Sequence, residues 1–239
     1  MDIETKIIYQ INEKDKKHLQ YILENADKND LFKNNGRENF KSLKLQLGLS
    51  IRAGKCLSKE TYENLILFKH LTKFFTEKLP DKHFSSIEIN LMKSGLHNMN
   101  MHVDTKNVGP AYVISIGSFT GGNMYTLDGS VNSNNKIVEF DACLPHMPGK
   151  FEGKRFSIVF YTQYSKHTIW KPGAKRSLQH IEKKYKIKLP YKPLVRCNYL
   201  DKYKRFPIFK RFIKKNKYNT KKLIEQKAIK KTLEEIYSN

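Results

Sequence analysis

Cysteine, tryptophan and arginine are all scarce in this chain of 239 residues, which has three cysteines, one tryptophan and seven arginines. Cys56, Cys143 and Cys197 are odd in number and widely spaced. That spacing suggests neither a disulfide framework nor a Cys-x-x-Cys zinc site, and it fits a reducing, intracellular setting. No run of about 18 apolar residues occurs, so no membrane-spanning helix is expected. The start, Met1-Asp2-Ile3-Glu4, is acidic and lacks a long apolar core, so a secretory signal is not expected either. There is no internal repeat. Glycine patterns of the Rossmann or P-loop kind are also missing, so those nucleotide folds are excluded.

Acidic residues are few, 23 against 45 Lys and Arg, which leaves a net charge of +22. The excess is unevenly placed. Residues 1–163 hold 22 basic and 18 acidic side chains, a net of +4, whereas residues 164–239 hold 23 and 5, a net of +18. In that last third Tyr199, Tyr203, Phe206, Phe209 and Phe212 are interleaved with Lys202, Lys204, Arg205, Lys210 and Arg211. A basic segment of this kind attracts polyanions, most often nucleic acid, through counterion release. A solvated basic face is the plainer reading, and the lysine and asparagine content looks like the codon bias of an AT-rich genome. Bias alone does not account for the asymmetry.

The order of elements is partly legible. Apolar residues of helical spacing fill the second half of 5–25, with Asp15 as a candidate cap. Leu43, Leu45, Leu47 and Leu49 alternate with polar residues, as in a strand. A helix is expected from Ser58 as N-cap to the stop at Pro80-Asp81. From Phe84 the texture changes to short strands near 85–92, 97–104, 111–117, 122–127, 136–140 and 154–162, separated by Gly, Asn and Pro turns. Such a series argues a β-sandwich or jelly roll. A last helix is expected at about 220–237, carrying Leu223, Ile224, Ile229, Leu233 and Ile236. The expected organisation is therefore α+β: helical support over 1–83, a jelly-roll core over 84–163, and a basic, partly helical extension over 164–239.

The chemistry concentrates between His102 and Phe160. His102-x-Asp104 places two metal-ligand types on one face of a strand, because alternate residues point the same way. His146 is placed to supply a third ligand from a strand folded back beside them. Two imidazoles and one carboxylate form the facial set that holds iron(II) and leaves positions open. Arg155 and Ser157 share one face of the last strand. A guanidinium with a hydroxyl is a good receptor for the far carboxylate of 2-oxoglutarate. Two ordinary strand histidines, or a metal-free jelly roll, are the plainer alternatives. His97 points to the opposite face from His102. His18 and His70 fall on expected helices and are read as solvated.

The set His102-x-Asp104, His146 and Arg155-x-Ser157 resembles the iron(II)/2-oxoglutarate-dependent dioxygenase superfamily, whose fold is a double-stranded β-helix. Asn107-Val108-Gly109-Pro110 with Gly117-x-Phe119-Thr120-Gly121-Gly122 resembles its TET/JBP-like branch, which includes algal and giant-virus members. Asn90-x-Met92 resembles the Asn-x-Tyr with which AlkB-type enzymes hold 2-oxoglutarate, with Met92 replacing the tyrosine. The second arginine of AlkB-type repair enzymes is missing, since position 161 is Tyr. The resemblance covers about residues 84–163. It implies Fe(II) held by His102, Asp104 and His146, 2-oxoglutarate held by Arg155, Ser157 and Asn90, and O2 as the oxidant. It also implies hydroxylation of a C–H bond; together with the basic, aromatic-bearing residues 164–239, expected to contact nucleic acid, it makes a base of 5-methylpyrimidine type the leading substrate. The alternatives are hydroxylation of a Pro, Lys or Asn side chain and a catalytically dead, nucleic-acid-binding oxygenase fold.

Overall fold

Apolar and polar residues alternate along 43–50, 86–91 and 155–158, so the two faces of the sheet differ in chemistry there. A computed structural model describes residues 3–34, 42–50, 56–94, 102, 104, 107, 109–126 and 128–162. His97, the expected strand between 97 and 101, Cys197 and all of 164–239 with its expected helix lie outside those residues. In chain order the elements are β1 (Lys6–Gln10), α1 (Glu13–Lys28), β2 (Lys33–Asn34), β3 (Leu43–Ser50), β4 (Cys56–Leu57), α2 (Lys59–Glu63) and α3 (Leu65–Lys78). Next come β5 (Ser86–Lys93), β6 (Ala111–Gly121), β7 (Met124–Thr126), β8 (Gly129–Val131), β9 (Lys136–Phe140), β10 (Met147–Pro148) and β11 (Phe151–Tyr161).

The large antiparallel sheet runs β1-β9-β6-β11-β5-β3-β2, with β4 paired to β3, and a smaller sheet runs β10-β7-β8. Its outer face carries Leu45, Leu47, Ile87, Ile89, Tyr112, Ile114, Phe156, Ile158 and Phe160. These side chains form one buried cluster with Leu19 and Leu23 of α1 and Leu71 and Phe75 of α3. Burying each such side chain stabilises by roughly 1.5–3 kcal/mol. Phe75 is the pivot of the layer, with its ring 4.6 Å from Phe160, 4.8 Å from Phe84 and 5.2 Å from Tyr112. The inner face carries Ala111, Val113, Val138, Phe140 and Tyr161, which cluster with Met124 of the small sheet. Helices on one face and a second sheet over the other make this the expected α+β jelly roll.

Several local readings change. Asn12, not Asp15, caps α1: its side chain accepts from the Asp15 amide at 2.8 Å. Asp15 lies in the first turn, where its carboxylate pairs with Lys78 of α3 at 2.7 Å. Ser58 does cap its helix, accepting from the Thr61 amide. That helix is two, because the chain leaves helical geometry at Asn64 (φ −126°, ψ 42°) before resuming as α3. β11 begins at Phe151, earlier than its hydrophobic pattern suggests. Gly153, at φ +105°, keeps pairing with Phe119 there because it has no side chain. Among the described residues no helix is long and apolar enough to cross a membrane.

Candidate metal centre

His102 and His146 exchange both backbone hydrogen bonds, His102 N to His146 O at 3.1 Å and His146 N to His102 O at 3.0 Å. This antiparallel bridge sets the two imidazoles side by side, with centroids 4.4 Å apart. Asp104 follows two residues after His102 on the same face, and its amide donates to the Ala142 carbonyl at 2.8 Å. One ligand atom from each of His102, Asp104 and His146 lies within 4.8 Å of the others. The sequence-expected triad is therefore brought together.

His146 and Asp104 are oriented from behind. His146 Nδ1 lies 2.9 Å from the Leu144 carbonyl. A carbonyl only accepts, so Nδ1 carries the proton and Nε2 is left as the ligand atom, 4.0 Å from Asp104 Oδ2. Burial, and then the charge of His102, hold the His146 imidazole well below its usual range, so it is neutral at pH 7. Asn107 donates from Nδ2 to Asp104 Oδ2 at 3.3 Å. The buried Cys143 thiol donates to the Asn107 carbonyl at 3.1 Å, tying the loop after Asp104 to the loop before His146. Two imidazoles and a carboxylate are the donor set that suits iron(II).

The residues expected to receive the co-substrate lie on the same inner face. Arg155 faces Met92 and Gly117 across its neighbouring strands, while Ser157 faces Asn90 and Ser115. Arg155 is only 2% exposed. Among the described residues its hydrogen bonds go to Ser115 (Nε at 3.1 Å, Nη2 at 2.8 Å) and Ser133 (Nη2 at 3.5 Å). Among the described residues its Nη1 is buried with no partner. Phe119 and Phe151 flank the guanidinium at 5.5 and 5.8 Å. Burial lowers the Arg155 pKa to about 10, which still leaves it charged at neutral pH. Ser157 is buried on the same face. Asn90 donates to Glu88 at 3.3 Å, Glu88 in turn pairs with Lys44, and Asn90 Oδ1 is buried without a partner.

Gly122 completes the wall at φ +73°. A Cβ there would stand 3.2 Å from Arg155 Nη1 and 3.2 Å from Phe151 Cβ. The unpartnered Nη1 needs an acceptor, because a buried donor left unmade costs about 1–3 kcal/mol. A carboxylate fits that need. Sequence reading missed Ser115 and Ser133 as the residues that hold Arg155. The signal was present in Ser115, the one serine within the apolar run Tyr112 to Ile116. His18 and His70 are not both solvated singly, for their rings meet edge-on at 5.1 Å between α1 and α3.

No protein-family model matches this sequence, and no curated protein matches it. Among solved structures the chain is similar to NgTET1 in complex with 5mC DNA, at 12% identity and a TM-score of 0.50, covering 85% of this chain and 81% of that one. It also resembles a Pseudomonas putida prolyl-4-hydroxylase, at 13% identity and a TM-score of 0.45, covering 67% and 92%. A prolyl hydroxylase from Trichoplax adhaerens, in complex with a hypoxia inducible factor peptide fragment, matches at 11% identity and 0.45, covering 66% and 82%. The likeness to NgTET1 shows a shared jelly-roll fold.

Proposed function

We propose that this protein is an iron(II)- and 2-oxoglutarate-dependent dioxygenase that hydroxylates a C–H bond on a nucleic-acid base, of the 5-methylpyrimidine type. The observation that carries the reading is the convergence of His102, Asp104 and His146 within 4.8 Å, on the inner wall that also holds the buried Arg155 with its unpartnered Nη1. His102, Asp104 and His146 would hold the metal. When bound, iron(II) supplies the dioxygen chemistry that couples oxidation of 2-oxoglutarate to hydroxylation.

The chain's own residues supply orientation. His146 presents Nε2 because Leu144 fixes its tautomer. Asn107 steadies the Asp104 carboxylate. Arg155 grips the distal carboxylate of 2-oxoglutarate, with Ser157 and Asn90 paired beside it on the same wall. The apolar lining, Val113, Phe140 and Tyr161 among them, limits water around the reacting centre.

Two features support the nucleic-acid substrate: the net +18 of residues 164–239 with its interleaved aromatics, and the fold shared with a protein solved in complex with 5mC DNA. A duplex substrate would present its base flipped out of the stack.

The test is mass spectrometry of DNA, RNA and protein pools incubated with the protein, iron(II), ascorbate and 2-oxoglutarate. Gain of one oxygen on a pyrimidine methyl group, with succinate formed in step and neither seen for His102→Ala, is the expected result. Oxygen gained only by Pro, Lys or Asn side chains replaces the base by a protein substrate. No succinate from fully metallated protein overturns the enzymatic reading.

A further inference from the structure

We propose that Ser115 and Ser133 form a two-hydroxyl clamp that selects which edge of Arg155 meets the co-substrate, with Ser133 supplying a second donor to the same carboxylate. The inference rests on the oxygenase reading above and deepens it. Its starting point is a count of hydrogens. Ser115 Oγ lies 3.1 Å from Arg155 Nε and 2.8 Å from Nη2. Both nitrogens can only donate, so they fill the two lone pairs of that hydroxyl. The Ser115 hydrogen must therefore point elsewhere, and the Ser133 oxygen stands 2.8 Å away. Ser115 donates and Ser133 accepts. That direction leaves the Ser133 hydrogen unassigned among the described contacts.

The same bonds decide how Arg155 can bind an anion. A guanidinium offers a carboxylate either its Nε/Nη2 edge or its Nη1/Nη2 edge. The first is taken by Ser115, so the distal carboxylate is received at the Nη1 edge, where Nη1 is buried and unpartnered. Among the described residues no acidic side chain pairs with Arg155, which is only 2% exposed. An incoming dianion supplies the missing charge. Ser115 comes from β6, and Ser133 from the turn before β9, where its carbonyl also accepts from the Ser115 amide at 2.9 Å. Backbone and side chain of this pair thus lock together, and the clamp is held without help from a ligand. Ser115 is a positioning residue. Ser133 both positions and binds.

The test compares 2-oxoglutarate with 2-oxopentanoate, which has the same chain without the distal carboxylate. Calorimetric titration of manganese(II)-loaded, full-length protein reads both affinities. Ser115→Ala and Ser133→Ala are each expected to weaken 2-oxoglutarate binding about tenfold, the loss from one charged hydrogen bond. Binding of 2-oxopentanoate is expected to stay unchanged, and Ser133→Thr to restore 2-oxoglutarate affinity. Equal weakening of both ligands, or no change in either, overturns the clamp while leaving the oxygenase reading standing. Wild-type protein that takes up manganese but no 2-oxoglutarate overturns that reading, and the clamp with it. The turn position of Ser133 keeps the test open if Ser115→Ala fails to fold.

Discussion

The amide of Asp104 donates to the carbonyl of Ala142 at 2.8 Å, so two of the three candidate ligands sit on segments already laced together before any metal arrives. With the reciprocal bonds of His102 and His146, the backbone alone sets the spacing of the triad. A divalent ion that binds here binds the folded state and stabilises it by linkage, by about 2.7 kcal/mol at a hundred times its Kd. Manganese(II) or cobalt(II) is expected to raise the Tm of the wild type. Asp104→Ala and His146→Ala are expected to remove that rise, as read by differential scanning fluorimetry with and without EDTA.

Arg155→Ala is expected to raise the concentration of 2-oxoglutarate needed for half-maximal turnover at least about tenfold, since a bidentate charged contact is lost. Arg155→Lys keeps a charge but loses the bonds to Ser115, and is expected to fall on the side of the alanine variant. Steady-state succinate assays decide this, and an unchanged requirement removes the assigned role.

Two glycines, Gly117 opposite Arg155 and Gly153 opposite Phe119, set the join of β6 and β11. A Cβ at Gly117 would stand 2.3 Å from the Lys154 carbonyl oxygen, and one at Gly153 would stand 2.2 Å from that of Ser118. Both residues have positive φ, +135° and +105°. Alanine at either is expected to cost more than about 2 kcal/mol, combining backbone strain with a clash the sheet cannot relieve. Gly129→Ala, with φ +119° and nothing within 4 Å, is expected to cost only the backbone share, roughly 1–2 kcal/mol. Urea denaturation measures the difference.

Acid is expected to loosen the helix layer. Burial, and then the charges of His18, Lys69 and Lys73, lower the His70 pKa below 6.5. The folded protein therefore binds fewer protons than the unfolded chain as pH falls past 6.5, and stability is lost from that point down to the folded value. The effect is small because His70 is only partly buried. His70→Gln is expected to flatten the difference between pH 7.5 and pH 5.5 in urea midpoints of metal-free protein.

Glutamine at Lys204, Arg205, Lys210 and Arg211 in the full-length chain is expected to weaken duplex DNA binding. It should also lower the slope of log affinity against log salt by roughly one unit per phosphate contact removed. An unchanged slope in fluorescence anisotropy moves the nucleic-acid contact away from these residues.

The candidate triad was legible because its signal is local. His-x-Asp puts two side chains on one face by strand geometry alone, and the later His and Arg-x-Ser fall within alternating runs. What holds those residues was not legible. Ser133 lies in a polar turn that reads like any other, and its link to Arg155 spans 22 residues of chain. The Leu144 carbonyl that fixes the His146 tautomer is backbone, and leaves no residue-type signature. Asn12 was passed over as a cap for Asp15 because both are good capping residues. The choice between them depends on where β1 ends, a matter of pairing with β9. The break at Asn64 falls within a continuous apolar stripe, where periodicity continues although the helix does not.

β11 lies between β5 and β6, and its alternate residues face opposite worlds: Arg155 and Ser157 inward, Phe156, Ile158 and Phe160 toward the helices. A slip of one residue during folding would drive the guanidinium into the layer around Phe75 and Leu71 and turn Phe156 toward the ligands. The cost of burying that charge in hydrocarbon makes such a misaligned chain self-rejecting. The residue proposed to recognise the co-substrate thus proofreads the assembly of the sheet that carries it, so a molecule with its central strand in register has its anion receptor in place as well.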